Sequence, residues 1–221
     1  MMDFQRFRAA VGALLAALLA AGCATQPQPY DYAAFKQSRP RSILVLPPLN
    51  TSPDVNATYS LLSQVSAPLA ESGYYVFPVA LVDETFRNNG LAQPEEIHAV
   101  PAAKLREIFG ADAALYIEIT NYGTSYAIVV AETRVTAAAK LVDLRSGTQL
   151  WSGEATASSS EGQNNSGGLV GLLIQAVVTQ IVESSMDHGH VIAGVASGRL
   201  LSAGRPNGLL YGPRSPRYQS D

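Results

Sequence analysis

A single cysteine at the end of a single apolar run constrains this 221-residue chain more than any other feature. Arg6 and Arg8 precede an unbroken stretch of Ala, Leu, Val and Gly from Ala9 to Ala21, and Ala21-Gly22-Cys23 closes it. A basic n-region, an apolar h-region of roughly 7–15 residues and small residues before a cut describe a secretory signal, too short to span a bilayer. Cys23 separates this signal from an ordinary one. A thiol is the nucleophile that accepts a diacylglyceryl group, and small residues before it let the backbone enter a peptidase site. Leu19-Ala20-Ala21-Gly22-Cys23 has the form of a lipobox, with Ala20 where Leu is usual and Leu19 one place earlier. Two or more acyl chains, at about 0.8 kcal/mol per buried methylene, hold a protein stably where one holds weakly. The sequence therefore predicts a signal peptide over 1–22, lipidation at Cys23 and a mature protein tied to a membrane through its N-terminal acyl chains. Ala24 rather than Asp follows the cysteine. By analogy with the enteric sorting rule, that directs the chain to the outer membrane, facing the periplasm.

An acylated Cys23 leaves no thiol for a disulfide, so stability has to come from a hydrophobic core. About two hundred mature residues suit one domain. Losing Asp3, Arg6 and Arg8 with the signal takes the formal charge from −3 to about −4, an acidity that argues against nucleic acid as a partner. Residues 23–41 are rich in Pro, Gln and Ser and read as a lipidated tether, with a reach on the order of 60 Å when extended. The domain is expected over 42–205, with an irregular Pro- and Gly-rich tail over 206–221.

Within the domain, Ser42-Ile43-Leu44-Val45-Leu46 reads as a buried strand ended by Pro47-Pro48. Helical spacing follows from Asn56, broken near Val65 because Pro68 costs about 3 kcal/mol in a helix interior, with Ser66 capping the next turn. Tyr74 to Val79 reads as a second strand, which makes the first two strands parallel across a crossover. Short helices are expected over Val82–Asn89 and Pro101–Phe109, with His98 in a turn between them. From Ala113 the period changes to two. Leu115, Ile117 and Ile119 oppose Tyr116, Glu118 and Thr120, and Ile128–Val142 and Thr148–Ala157 continue an antiparallel meander. The fold class is α/β: a mixed sheet with a parallel βαβ start, an antiparallel continuation and packed helices. Ser184–Ala203 is expected to close it as a helix.

Few of the chemistry-bearing residues form a catalytic pattern. Gly167-Gly168-Leu169-Val170-Gly171 lacks the Lys and Ser/Thr of a phosphate loop, and Ser197-Gly198 has the wrong flanks for a nucleophile elbow. His188-Gly189-His190 falls short of the three or four ligands zinc takes. Asp83-Glu84 and Glu95-Glu96 read as acidic first turns of helices. No cofactor, no metal and no enzymatic activity are expected. Two candidate interaction surfaces remain. Leu169–Val182 is too apolar for an ordinary surface helix and, at 1.5 Å per residue, covers about 21 Å, short of a hydrocarbon core of about 30 Å. Leu173 and Val177 share its apolar side. The second is the polar sheet face, where Tyr116, Tyr122 and Tyr126 are expected together beside Glu118, Glu132 and Arg134.

The lipobox, Ile43-Leu44-Val45-Leu46-Pro47-Pro48-Leu49-Asn50, Pro68-Leu69-Ala70-Glu71-Ser72-Gly73-Tyr74-Tyr75-Val76 and the closing Asn207-Gly208-Leu209-Leu210-Tyr211-Gly212-Pro213 together resemble a family of bacterial outer-membrane lipoproteins that includes a meningococcal surface antigen. The Asp143–Gly147 hairpin with Trp151 is distantly similar to the TolB N-terminal domain and CsgG-type lipoproteins. The resemblance implies an α/β domain with a mixed sheet, and a non-enzymatic role in an envelope assembly or transport-related complex. The implied partners are copies of itself and other envelope lipoproteins. The alternative is a periplasmic module for a small ligand or glycan.

Replacing Cys23 by Ala should abolish lipid attachment, leaving a precursor or a soluble form; palmitate label entering the variant at the wild-type level contradicts this. Leu173→Asp with Val177→Asp should unfold the domain or dissociate an oligomer, because buried unpaired carboxylates are not tolerated. Circular dichroism and light scattering check it, and an unchanged fold and mass refute it.

Overall fold

Folded structure is already present inside the segment read as a tether. The computed structural model describes residues 29–126, 131–161 and 188–220. Cys23, Leu173, Val177 and the rest of 169–182 lie outside the described residues. The expectation of a tether reaching to residue 41 is corrected by helix α1 (Ala33–Ser38), whose Phe35 is buried and whose C-cap Arg39 turns left-handed at φ 48°. Tyr32 donates its hydroxyl to the Gly208 carbonyl at 2.5 Å, tying this segment to the C-terminal one. Nine residues remain between Cys23 and Ala33, a span of at most about 30 Å.

The apolar run that follows forms β1 (Ser42–Val45), with Ile43, Leu44 and Val45 buried, so that both faces are covered. Pro47 and Pro48 give no N–H to a ladder, and they stand where the pairing slips. Val45 pairs with Leu115, and Leu49, four residues later, pairs with Glu118, only three later. The chain resumes as β2 (Leu49–Asn50) after this one-residue bulge, a place where a sheet tolerates proline. Helices α2 (Ala57–Gln64) and α3 (Ser66–Glu71) break at Val65, as Pro68 demands. Val65, without a side-chain hydrogen bond, holds the capping position in place of Ser66. The expected strand over 74–79 is shortened to β3 (Tyr75–Val76), because Pro78 leads straight into α4 (Val79–Asn88). Two more short helices follow, α5 (Pro94–His98) and α6 (Ala102–Phe109), the latter stopped by Gly110 at φ 69°.

Three long strands complete the sheet: β4 (Ala113–Tyr126), β5 (Ala131–Asp143) and β6 (Gln149–Ser158). The order is β3-β1-β4-β5-β6, with β2 also on β4. Pairing is parallel among β1, β2, β3 and β4 and antiparallel through β4, β5 and β6. On one face, Leu115 stands opposite Leu141 and Trp151, and Ile117 opposite Ala139 and Gly153. Helix α7, described over His188–Leu201, packs across β4, β5 and β6 on this face, with α2 and α3 beside it. Ile192, Ala196 and Leu200 are buried there. On the opposite face, α4, α5 and α6 cover β1 and the start of β4 with Val82, Phe86, Ile97 and Leu105 over Leu44, Leu46 and Ala114. Each buried Leu, Ile or Phe contributes roughly 1.5–3 kcal/mol, so these two layers supply the stability a disulfide-free domain requires.

The C-terminal segment is irregular, and it is docked. Gly212 donates its N–H to Ser72 O at 2.8 Å and Arg214 to Gly73 O at 3.0 Å. Gly73 has φ 98°, and a Cβ there would lie 2.4 Å from Ser215 N, so only glycine admits this contact. Leu209 is buried, Tyr74 donates to Leu210 O at 2.6 Å, and the Trp151 indole N–H donates to Asn207 O at 2.9 Å.

At the end of the sheet where β1 begins, Asp112 joins three elements. It accepts the Arg41 N–H at 3.0 Å, the Ser42 hydroxyl at 3.3 Å and an Arg145 N–H at 3.0 Å. Burial pushes its pKa up, but the Arg41 amide, Arg145 and Ser42 together hold it below the ordinary carboxylate value. Asp143 is likewise held low. Burial raises it, and the Ser38 hydroxyl and the Ser146 and Arg145 amides outweigh that. Both groups therefore bind fewer protons folded than unfolded; their stabilisation is present above the unfolded value near 4 and is lost as pH falls through the folded values. Charge-assisted hydrogen bonds are worth about 1.5–3 kcal/mol, so Asp112→Asn should cost about 2 kcal/mol at pH 7 and progressively less as pH falls below about 4. Urea denaturation across pH measures it; an equal cost at both ends of the range contradicts the assignment.

Candidate interaction surface

Among the described residues, no helix covers the meander on the face opposite α7, beyond the reach of α4, α5 and α6. There the register sets two cross-strand rows: Tyr116, Lys140 and Ser152 in one, Glu118, Ala138 and Glu154 in the next. Directly opposed residues on one face stand about 4.5–5.5 Å apart, so these six form a lattice of fixed spacing. A third row follows, in which the hydroxyls of Thr136 and Thr156 lie 2.9 Å apart. The lattice floors an open groove of about 490 Å³, rimmed on one side by His98 and Leu49.

His98 is held from the fold below. Its Nε2–H donates to Pro47 O at 2.9 Å, a carbonyl released from the ladder by the proline bulge. Its ring meets Tyr116 edge to face at 5.2 Å. Burial lowers its pKa, with Lys140 adding to the effect against the Pro47 hydrogen bond, so it is neutral at pH 7. Burial also raises the Tyr116 pKa and keeps its phenol protonated. The Lys140 ammonium lies 5.1 Å from the Tyr116 centroid, a cation–π contact. No carboxylate lies within ion-pair distance of Lys140 among the described residues, and Glu118 and Glu154 are exposed on either side of the small Ala138. The surface thus offers two carboxylates flanking a dimple and one cation a row away.

The expected cluster of Tyr116, Tyr122 and Tyr126 is corrected. Ile119 pairs with Ala137 and Asn121 with Thr136, so Thr120 is an extra residue and the alternation changes face by Tyr122. Tyr116 stays on the open face. Tyr122 turns inward, buried opposite Val135, and donates to Ser60 Oγ at 2.6 Å. Gly189 of α7 makes room for it: a Cβ there would lie 2.6 Å from the ring. The backbone of Tyr126 pairs with Ala131 at the end of β4. Glu132 and Arg134 lie further along β5, joined at 2.7 Å, with Glu132 drawn to Ser158 and Ser160.

The other motifs resolve into structural roles. Asp83 sits inside α4 rather than at its start, and pairs with Arg87 at 2.9 Å. Glu95 and Glu96 do occupy the first turn of α5, and His98 ends that helix instead of lying in a turn. His190 lies 3.0 Å from Ser60 Oγ and 2.6 Å from Gln64 Nε2 in the α2–α7 packing. Among the described residues, no three His, Cys, Asp or Glu side chains converge to hold a metal, and no helix is long and apolar enough to cross a membrane. Ala138, Ser152 and Glu154 escape sequence reasoning although their alternation is visible, because a lattice exists only once the β4–β5–β6 register is known.

A sequence with the form of a lipobox followed by this mixed sheet with helices on both faces points to a lipoprotein domain, and known proteins identify its family. Residues 30–214 match the GNA1162-like lipoproteins, and the chain belongs to that family. It is 54% identical over 203 residues to the lipoprotein NMB1124/NMB1162 of Neisseria meningitidis serogroup B, covering 90% of this chain and 94% of the relative. The crystal structure of lipoprotein GNA1162 from Neisseria meningitidis is similar at 54% identity and TM-score 0.54, spanning 66% of this chain and all of that one. At 15% identity and TM-score 0.46, a PelC dodecamer structure from Paraburkholderia phytofirmans covers 74% of this chain and 88% of that one.

Proposed function

We propose that this lipoprotein is a non-enzymatic component of a cell-envelope assembly at the outer membrane, facing the periplasm and acting through protein contacts. The observation that carries the reading is the polar lattice: a sheet face whose Glu118, Glu154 and Lys140 are set in register and, among the described residues, make no ion pair. Carboxylates either side of Ala138 suit a basic side chain of a partner, and charge complementarity of this kind selects partners and speeds their encounter. The partners proposed are further copies of this chain and other envelope lipoproteins. The short span between Cys23 and α1 supports the reading, because it keeps the domain beside the membrane where such partners are anchored.

The 490 Å³ groove favours a second reading, a module for a small ligand or glycan, since its volume lies in the range of ligand sites. Against it, Lys140 already lies over the Tyr116 ring on which a sugar would stack.

Glu118→Lys with Glu154→Lys decides the matter. Both side chains are exposed, so stability should change by less than about 1 kcal/mol. Affinity purification of the acylated wild type from detergent-solubilised membranes should retain a second, tagged copy or another lipoprotein that the double variant loses. Identical co-elution from both contradicts the proposal.

A further inference from the structure

Charge is divided unevenly along this fold. Residues 31–41 and 205–221 hold Lys36, Arg39, Arg41, Arg205, Arg214 and Arg217 against Asp31 and Asp221, whereas residues 42–204 hold seven Lys and Arg against fifteen Asp and Glu. Folding brings the two basic segments together. Lys36 and Arg39 line a cavity of about 220 Å³ with Tyr211 and Tyr218, over an apolar floor that includes Phe35 and Leu210. Arg41 and Arg214 line the adjoining hollow, where Arg214 lies 5.3 Å over the Tyr75 ring. Arg217 donates to the Tyr211 hydroxyl at 3.0 Å. Among the described residues, no carboxylate comes within ion-pair distance of Arg39, Arg214 or Arg217. Beside them Asp112 is surrounded by Arg41, Arg106 and Arg145, three cations on one carboxylate.

The position of this cationic end is what gives it meaning. The register aligns Ser42 with Tyr75, and Ile43 with Ala113 and Asp143, so α1, the start of β1 and the docked C-terminal segment share one end of the sheet. The uncharged stretch Thr120–Tyr126 of β4 lies at the other end. Nine residues, about 30 Å at most, connect α1 to Cys23.

We propose that the cationic end, built from α1, residues 39–41 and residues 211–218, rests on anionic phospholipid headgroups of the leaflet that anchors Cys23; the inference relies on the reading of Cys23 as the acylated residue. Guanidinium groups bind phosphate oxygens through paired N–H donors, and basic segments next to an anchor are drawn to anionic leaflets. Tyr75, Tyr211 and Tyr218 supply the amphipathic rings that suit a headgroup layer. This arrangement turns the Thr120–Tyr126 end away from the membrane and leaves the polar lattice accessible from the side.

Acylated full-length protein carrying a fluorophore at Ser220→Cys or Thr124→Cys, reconstituted into vesicles with headgroup-nitroxide lipid as quencher, tests the orientation. Vesicles are phosphatidylcholine alone or a phosphatidylcholine–phosphatidylglycerol mixture. The label at 220 should be quenched in the mixture and that at 124 should not. The quenching should fall in phosphatidylcholine alone, at high salt, and in Lys36→Gln/Arg39→Gln/Arg214→Gln, with circular dichroism confirming that the variant is folded. Quenching at 220 that ignores lipid charge, stronger quenching at 124, or none at either position overturns the inference while flotation with the vesicles upholds the anchor. Failure to float refutes the anchor itself, and the orientation with it.

Discussion

Strand β4 is the element on which the rest of the structure depends, because it changes the character of the sheet along its own length. Its first residues pair in parallel with β1 and antiparallel with β5, and Ala113, Ala114 and Leu115 are buried on both faces. Ala114 is small enough to lie beneath α4, α5 and α6, and Ala113, one residue earlier, faces the other way. Farther on, β4 keeps α7 on one face only, and its other face carries Tyr116 and Glu118. A strand buried on both faces has to be apolar throughout, whereas one buried on a single face alternates. The transition along β4 therefore decides where the apolar core stops and where the molecule has a surface with chemistry on it.

Much of this was legible in the residues. Ile43 to Leu46 announced a doubly buried strand, Pro68 the break between α2 and α3, and the alternation from Ala113 the meander. Two local events escaped the pattern. The extra residue at Thr120 reverses the facing of Tyr122, and nothing in the alternation of Ile117, Ile119 and Tyr122 distinguishes a bulge from a strand with one polar face. Similarly, the Pro- and Gln-rich stretch before Ser42 hides a short helix whose stability comes from burying Phe35 under the C-terminal segment, a tertiary contact that no local propensity encodes. The C-terminal segment has no regular pattern in its sequence, and the left-handed Gly73 beneath Gly212 and Ser215 is what makes it part of the domain.

These features give the molecule a polarity. One end of the sheet gathers α1, the docked C-terminal segment, Asp112 and an excess of arginine. The lattice of Glu118, Lys140 and Glu154 lies on a side face, held in register by three strands and braced by His98 on the Pro47 carbonyl. The same proline bulge that interrupts β1 and β2 thus frees the acceptor that fixes His98 against Tyr116, so a defect in the ladder becomes a support for the surface. On the readings proposed above, anchoring and contact fall to different parts of one small domain.

The measurement that bears most directly on the central claim, that the polar lattice is a protein-contact surface, is site-specific photocrosslinking in living cells. A benzophenone side chain at Ser152 samples the lattice, and one at Asn88, exposed on α4, samples a helical face of the same domain. The account predicts a discrete crosslinked product from position 152, to a second copy of the chain or to another envelope protein, and none from position 88. Crosslinks from position 88 alone, or silence at 152 in cells where the protein is correctly anchored, would contradict it.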